Sequence, residues 1–247
     1  MKQWEVDINC DVGEGIGNEG QLFPFISSCN LACGGHAGDE DTMQEVISLA
    51  REHGVRVGAH PSYPDRENFG RQSVKMEAKA FREAIRSQVD LLQRKLTDLD
   101  TPMTHIKAHG ALYNDLARDR QLAYQYLEAI RDYRSAIALY VPYASSIAEA
   151  ANDMGFTCVY EAFGDRNYED DLSLVSRRSP LALITQPYEV LQHLLRMIRN
   201  SEVKTVSGNL KKIVAHTYCI HGDTATAFEI LAYLSVEFPK HHIHLRK

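Results

Sequence analysis

Four histidines in this 247-residue chain, His36, His60, His109 and His221, each follow a short apolar run and sit beside small or ring-constrained residues. The runs are Cys29 to Cys33, Val55 to Ala59, Ile106 to Ala108 and the stretch closing at Cys219-Ile220. Imidazole changes charge near neutral pH and is a common metal ligand, so four of them in equivalent positions suit proton transfer or metal binding. A single histidine in a loop is commonly a hydrogen-bonded structural residue, and it is the fourfold recurrence that argues for chemistry here. Carboxylates accompany them. Trp4 to Glu14 alternates with period two, placing Trp4, Val6, Ile8, Cys10 and Val12 on one face and Asp7, Asn9 and Asp11 on the other. Carboxylates turned toward a protein interior are costly unless paired or used, which makes Asp7 and Asp11 functional candidates. The alternative is an edge strand with a wet face. A calcium loop fits poorly, because the glycine falls one place late and no glutamate occupies the twelfth position.

Positioning such groups together requires an α/β fold, either a parallel barrel or an open sheet, with the histidines at the strand C-termini where sites of these folds gather. Val55 to His60 is one such strand, and the loop after it, Pro61 to Arg71, carries two prolines and the charged Asp65, Arg66 and Arg71. Met103 to His109 puts His105, Lys107 and His109 on one face of another strand, too far apart along it for His105 and His109 to share a metal easily. A lysine inside a barrel holds a substrate carboxylate or polarises a carbonyl. Tyr113 and Asn114 follow in a loop as substrate contacts. Phe156 to Phe163 is a further strand, with Glu161 near its end and Asp165 and Arg166 in the loop; a structural salt bridge between Glu161 and Arg166 is the plain alternative to a role in the site. Ile213 to Cys219 is expected to be the strand leading to His221 and Asp223, with Asp223 capping a last helix from Thr224 to Phe238.

Helices alternate with these strands. Asp39 reads as an N-cap for a helix with the stripe Met43, Val46, Ile47 and Ala50, ending before Gly54. A long amphipathic helix is expected over Met76 to Leu96, with Ala80, Phe81, Ala84, Ile85, Val89, Leu92 and Leu96 on its buried face. Gly13 to Gly17 reads as a flexible turn without the spacing of a dinucleotide fingerprint. His241, His242 and His244 lie in a tail to which no role is assigned.

Length, a hydrophobic content of 44% and a charged content of 24% fit one globular barrel domain over residues 1–247. The formal net charge of -6 argues against nucleic acid, which needs a basic face. No apolar run is long enough to span a bilayer and the amino terminus lacks a signal-peptide pattern, so a cytoplasmic protein is expected. Five cysteines without a CxxC spacing are expected to be free thiols.

The stretches DINCDVGEG, CNLACGGHAGD, GAHPSYPDRENFGR, KAHGALYN, EAFGDRNY and HGD, in this order, resemble the LamB/YcsF family, the A subunits of bacterial 5-oxoprolinase. The resemblance covers nearly the whole chain; Ala108 stands where the family commonly has proline. It implies a seven-stranded (β/α) barrel of the glycoside hydrolase/deacetylase type. It further implies ATP-dependent opening of 5-oxoproline to L-glutamate in a complex with two further subunits, B and C. An unactivated lactam is helped to hydrolyse by phosphorylation of its amide oxygen, yet the chain has neither a GxxxxGK[ST] loop nor a kinase-like glycine loop. ATP is therefore expected to be handled with the partner subunits, and this chain to open the ring. On that reading Asp11 and His109 serve as general base or acid, with His36, His60 and Glu161 in the same catalytic cluster. Arg71 and Lys107 hold the substrate carboxylate or the activated oxygen, and Asp7, Asn9, Tyr113, Asn114, Asp165, Arg166, His221 and Asp223 complete the binding site. The alternatives are a metal-dependent hydrolase, with Asp and His ligands drawn from Asp7, Asp11, His36, His60 and His109, and a non-catalytic metabolite-binding subunit.

Overall fold

The computed structural model describes residues 2–247. The chain runs β1 (Trp4–Val12), α1 (Glu19–Leu22), β2 (Ser28–Ala32), α2 (Glu40–His53), β3 (Arg56–His60), α3 (Ala78–Asp98), β4 (Met103–Ile106), α4 (Gly110–Arg118), α5 (Arg120–Ala129), β5 (Ala138–Pro142), α6 (Ser146–Asp153) and β6 (Thr157–Phe163). It continues through α7 (Pro187–Asn200), a hairpin of β7 (Glu202–Lys204) and β8 (Leu210–Lys212), β9 (Thr217–Cys219), α8 (Ala227–Lys240) and β10 (Ile243–Leu245). Strands β1 to β6 pair in sequence order, all parallel, and β9 pairs with both β6 and β1. Seven strands thus close into a barrel, the architecture expected from the sequence. The tail adds β10 alongside the start of β1, Trp4 opposite Ile243.

The period-two pattern of β1 does what the sequence implied. Val6, Ile8, Cys10 and Val12 join the apolar core, while Asp7, Asn9 and Asp11 are buried among polar side chains of other strands. Asp39 caps α2 by accepting from the Thr42 amide at 2.8 Å, and Gly54 ends the helix in the left-handed conformation that glycine adopts without cost. Phe81, Ile85, Val89, Leu92 and Leu96 seal α3 against the barrel, each contributing about 1.5–3 kcal/mol of burial. Ala80, expected on that stripe, is exposed.

The barrel interior is polar and fully layered. At the end where the strands begin, Asp7 pairs with Arg56 and accepts from Ser28 and Thr217. Above it, Asn9 donates to Glu161 and Thr217 at 2.9 and 2.8 Å, and Asn30 donates to Asn9 and Asp11 at 2.8 and 2.7 Å. His105 reaches the Asn30 carbonyl oxygen at 2.8 Å. Its ring fits because β3 carries Gly58, where a Cβ would lie 2.4 Å from that imidazole. Buried polar groups survive only when partnered, and this ladder of partners holds the strand tips in register.

Three expectations are corrected. The last barrel strand begins at Thr217, not Ile213, because residues 213–216 are an irregular link between the end of the β7–β8 hairpin at Lys212 and the barrel. Tyr113 and Asn114 lie on α4, which starts directly at Gly110 with φ 56°, so no loop intervenes. Asp223 does not cap α8, which starts at Ala227 after Thr226; its carboxylate is taken by two arginines. All five cysteines are free. No helix among the described residues is long and apolar enough to cross a membrane.

Candidate functional site

A cleft of about 550 Å³ opens over the C-terminal ends of the strands. Asp11, Glu14, His60, Lys107, His109 and His221, all but Glu14 among the buried residues, line it, as do the more exposed Arg71 and Arg177 with Asp223. Each loop contributes for a local reason. Beyond the end of β4, the Lys107 and His109 amides still donate to Ala59 and Pro61 at 2.9 Å, which extends the inward alternation of the strand through both residues. In the loop after β3, Phe69 takes a left-handed φ of 55°, a conformation that costs a bulky residue on the order of 1–3 kcal/mol. Its carbonyl is thereby set 3.0 Å from His109 Nε2. The neighbouring Gly70, φ 61°, lets backbone approach both imidazoles: a Cβ there would lie 3.0 Å from His109 and from His36.

Lys107 is the buried cation of the site. Its Nζ lies 2.9 Å from both Asp11 Oδ1 and Glu161 Oε1 and 3.2 Å from Cys219 Sγ. Burial alone would lower its pKa, but Asp11, Cys219 and Glu161 raise it well above the ordinary value, so it is an ammonium. Burial likewise opposes ionisation of Asp11, yet His60 and Lys107 hold its carboxyl well below the usual range.

The imidazoles surround Glu14. His36 Nε2 is 2.9 Å from Glu14 Oε1, His109 Nδ1 is 3.2 Å and His60 Nε2 is 3.9 Å. His60 Nε2 also lies 3.0 Å from His109 Nδ1 and 3.4 Å from Asp11 Oδ2. The rings of His36 and His109 stack in parallel, centroids 3.6 Å apart. Burial pulls the His36 pKa down to about 4 against the pull of Glu14, and lowers that of His109 in the same way. Both rings are therefore neutral near pH 7.

A second dyad stands across the cleft. His221 Nδ1 is 2.9 Å from Asp165 Oδ1, while the His221 amide and the Thr224 hydroxyl donate to Oδ2. A carboxylate fixing Nδ1–H leaves Nε2 with its lone pair, the arrangement of an oriented base. Burial would raise the Asp165 carboxyl, but His221 outweighs it and keeps it ionised. At the mouth, Asp223 Oδ2 meets Arg71 at 2.5 Å and Arg177 at 3.3 Å.

Thus Asp11, His60, Lys107, His109, Tyr113, Asn114, His221, Arg71, Arg166 and Asp223 all line the one cleft. His36 touches it through Glu14, Asp165 through His221, and Glu161 and Asn9 from beneath through Lys107. Asp7 lies at the other end of the barrel, on Arg56. Glu161 does not pair with Arg166: it goes to Lys107, and Arg166 donates to the carbonyls of Val175 and Ala182. Sequence reading passed over Glu14, hidden in what looked like a glycine turn, and Asn30, hidden in an apolar run. For Glu14 the available signal was a lone carboxylate between glycines, at the tip of a strand whose inner face was already acidic.

Metal-ligating atoms converge in three overlapping groups: Asp11, His60 and His109; Glu14, His36 and His109; Asp11, Cys219 and His221. Lys107 is enclosed by two carboxylates, while Arg71 and Arg177 share the single carboxylate of Asp223 and Arg166 and Arg178 also line the cleft.

A family model described as LamB/YcsF family matches residues 6–247. A protein of Shouchella clausii, named as the A subunit of 5-oxoprolinase, is 40% identical over 243 residues, covering 96% of each chain. One of the same name from Rhodopseudomonas palustris is 39% identical over 231 residues, covering 91% of each. Among solved structures, the lactam utilization protein of Thermus thermophilus superimposes with a TM-score of 0.91 at 33% identity, covering 98% of this chain and 99% of that one.

Proposed function

The chain belongs to the LamB/YcsF family, and from that membership and the chemistry of its cleft we propose that it opens the lactam ring of 5-oxoproline to L-glutamate as one subunit of an ATP-dependent 5-oxoprolinase. The observation that carries this reading is the meeting of Asp11, Glu14, His60, Lys107, His109 and His221 in a single cleft. The names of the relatives and of the similar structure, 5-oxoprolinase and lactam utilization protein, supply the substrate class.

A lactam is an unactivated amide, and transfer of the ATP γ-phosphoryl group to its oxygen makes the carbon electrophilic. The sequence carries neither a GxxxxGK[ST] loop nor a kinase-like glycine loop, so we assign that transfer to partner subunits B and C and derive no step through ATP in this chain. Water then adds to the activated carbon and gives its proton to a base. His221 suits that role, with Asp165 fixing its Nδ1–H and Nε2 free to accept. Cleavage of the C–N bond opens the ring with a proton passing to the nitrogen and leaves an acyl phosphate, which a second water hydrolyses to the glutamate carboxylate and inorganic phosphate. Asp11, Glu14, His60 and His109 face the reacting oxygen from the floor, held in place by Lys107. Arg71 and Arg177 suit the substrate's free carboxylate, which would replace Asp223 between them. Five free thiols suit the reducing cytoplasm as its compartment.

The test is release of glutamate from 5-oxoproline and ATP by the purified chain, alone and mixed with the two partner proteins. Turnover in the mixture only is expected. Preference for a glycan or an acyclic amide would overturn the substrate assignment.

A further inference from the structure

His60 and His109 each have one ring nitrogen against a backbone carbonyl, a group that can only accept. His60 Nδ1 is 2.9 Å from the Lys107 oxygen and His109 Nε2 is 3.0 Å from the Phe69 oxygen. Those nitrogens therefore carry the hydrogens, and the tautomer this fixes puts the lone pairs on His60 Nε2 and His109 Nδ1. Glu14 Oε1 accepts from His36 Nε2, and Asp11 Oδ1 accepts from Asn30 and Lys107, leaving Oδ2 turned to His60. Three acceptors, Asp11 Oδ2, His60 Nε2 and His109 Nδ1, thus converge, with separations of 3.0 Å (His60 to His109) and 3.4 Å (Asp11 to His60), and Glu14 Oε1 stands 3.2 Å from His109 beside them. Electron pairs do not pack this closely without a positive charge between them.

We propose that the floor of the cleft binds one divalent first-row transition-metal ion, held by His60 Nε2, His109 Nδ1 and the Asp11 carboxylate, with Glu14 beside them. The separations favour a dication over a single bridging proton. The 3.0 and 3.4 Å contacts bracket the edge of a coordination tetrahedron, about 3.3 Å when ligand bonds are about 2.0–2.1 Å long. A proton would serve one of these contacts; a dication serves both.

The surroundings are those that orient metal ligands. Both imidazoles donate their other N–H to a carbonyl, and both carboxylates accept from a neighbouring side chain. Mixed imidazole and carboxylate donors select zinc, iron, cobalt or manganese over the oxygen-seeking calcium and magnesium. All three ligands line the cleft and leave a fourth position, so a bound ion would be open to a substrate oxygen and act on it as a Lewis acid. The site stands on this geometry whatever the substrate proves to be.

The full-length chain should be stripped with a chelator, dialysed and titrated with Zn(II) and separately with Co(II). One ion per chain, visible Co(II) d–d bands of a four- or five-coordinate N/O site and a higher unfolding temperature with Zn(II) are expected. His60→Ala and His109→Ala should each weaken Zn(II) binding by at least about 10-fold to 100-fold, with His244→Ala in the tail unaffected. Because a core variant can fail to fold, X-ray absorption of the Zn(II)-loaded wild-type chain gives a second readout, with two imidazoles and oxygen ligands expected. Sulfur in the coordination shell, no stoichiometric uptake by the wild-type chain, or a bridging imidazolium proton seen by NMR without metal would overturn the proposal.

Discussion

His60 Nε2 and His109 Nδ1 face each other across 3.0 Å, although each ring has already committed its N–H to a main-chain carbonyl. The pair is joined to Glu14 and Asp11 and acts as one unit rather than as two independent groups. Replacing either by alanine should lower glutamate release by the reconstituted complex by about 100-fold or more, and the double variant should lose little further. Turnover assays of the two single variants and the double check this; losses that multiply would mean separate roles.

Lys107 is the only cation set between Asp11 and Glu161 in the barrel interior among the described residues. Lys107→Met leaves two buried carboxylates facing each other and should cost about 3–5 kcal/mol in denaturant unfolding. Adding Glu161→Gln should restore part of that loss. A stability near wild type for Lys107→Met alone would show that the carboxylates are not held by this ion pair.

Gly58→Ala places a methyl 2.4 Å from the His105 ring in the closed barrel. The imidazole cannot retreat without giving up Asn30, so about 1–3 kcal/mol of stability should be lost. Thermal unfolding of the variant measures it.

The Asp165 carboxyl is held below its ordinary pKa: burial works against this, and His221 and Arg166 prevail. A depressed carboxyl contributes stability in full above its unfolded pKa and loses it as pH falls toward the folded value. Stability should therefore fall on acidification below about pH 4, the unfolded value of an aspartate. Asp165→Asn should flatten that part of the curve of unfolding free energy against pH, while an unchanged slope would remove Asp165 from the acid limb.

Arg71 is partly exposed and its ion pair with Asp223 is screened by solvent, so Arg71→Ala should change stability by no more than about 1 kcal/mol. If the substrate carboxylate docks there, KM for 5-oxoproline should rise by about 10-fold to 100-fold, the worth of a charged hydrogen bond. Unchanged KM would move the carboxylate site elsewhere in the cleft.

Much of this was legible in the residues because strand periodicity is strict. Once the even positions of β1 were known to be apolar, Asp7, Asn9 and Asp11 had to share the inner face, and the same logic turned His105, Lys107 and His109 inward. Histidines at strand tips had to share a rim once the strands were parallel. Roles within the barrel were not legible, because height along a strand decides them: Asp7 and Asp11 share a face, yet one closes the far end and the other meets the cleft. Glu14 was not legible because turns have no period, and the partners of Asp223 were not because a residue that could cap a helix by position is instead captured by arginines from two other loops. The β7–β8 hairpin has strands of only three residues each, too short to carry an alternation that can be read.

The central claim, that the ring opens in this cleft with His221 as its base, is met most directly by single-turnover comparison of ATP cleavage and glutamate release in the reconstituted complex carrying His221→Asn. The account predicts that glutamate release falls by about 100-fold or more while ATP cleavage falls much less, since phosphoryl transfer is assigned to the partners. Glutamate release at the wild-type rate, from a variant that still folds and assembles, would contradict it.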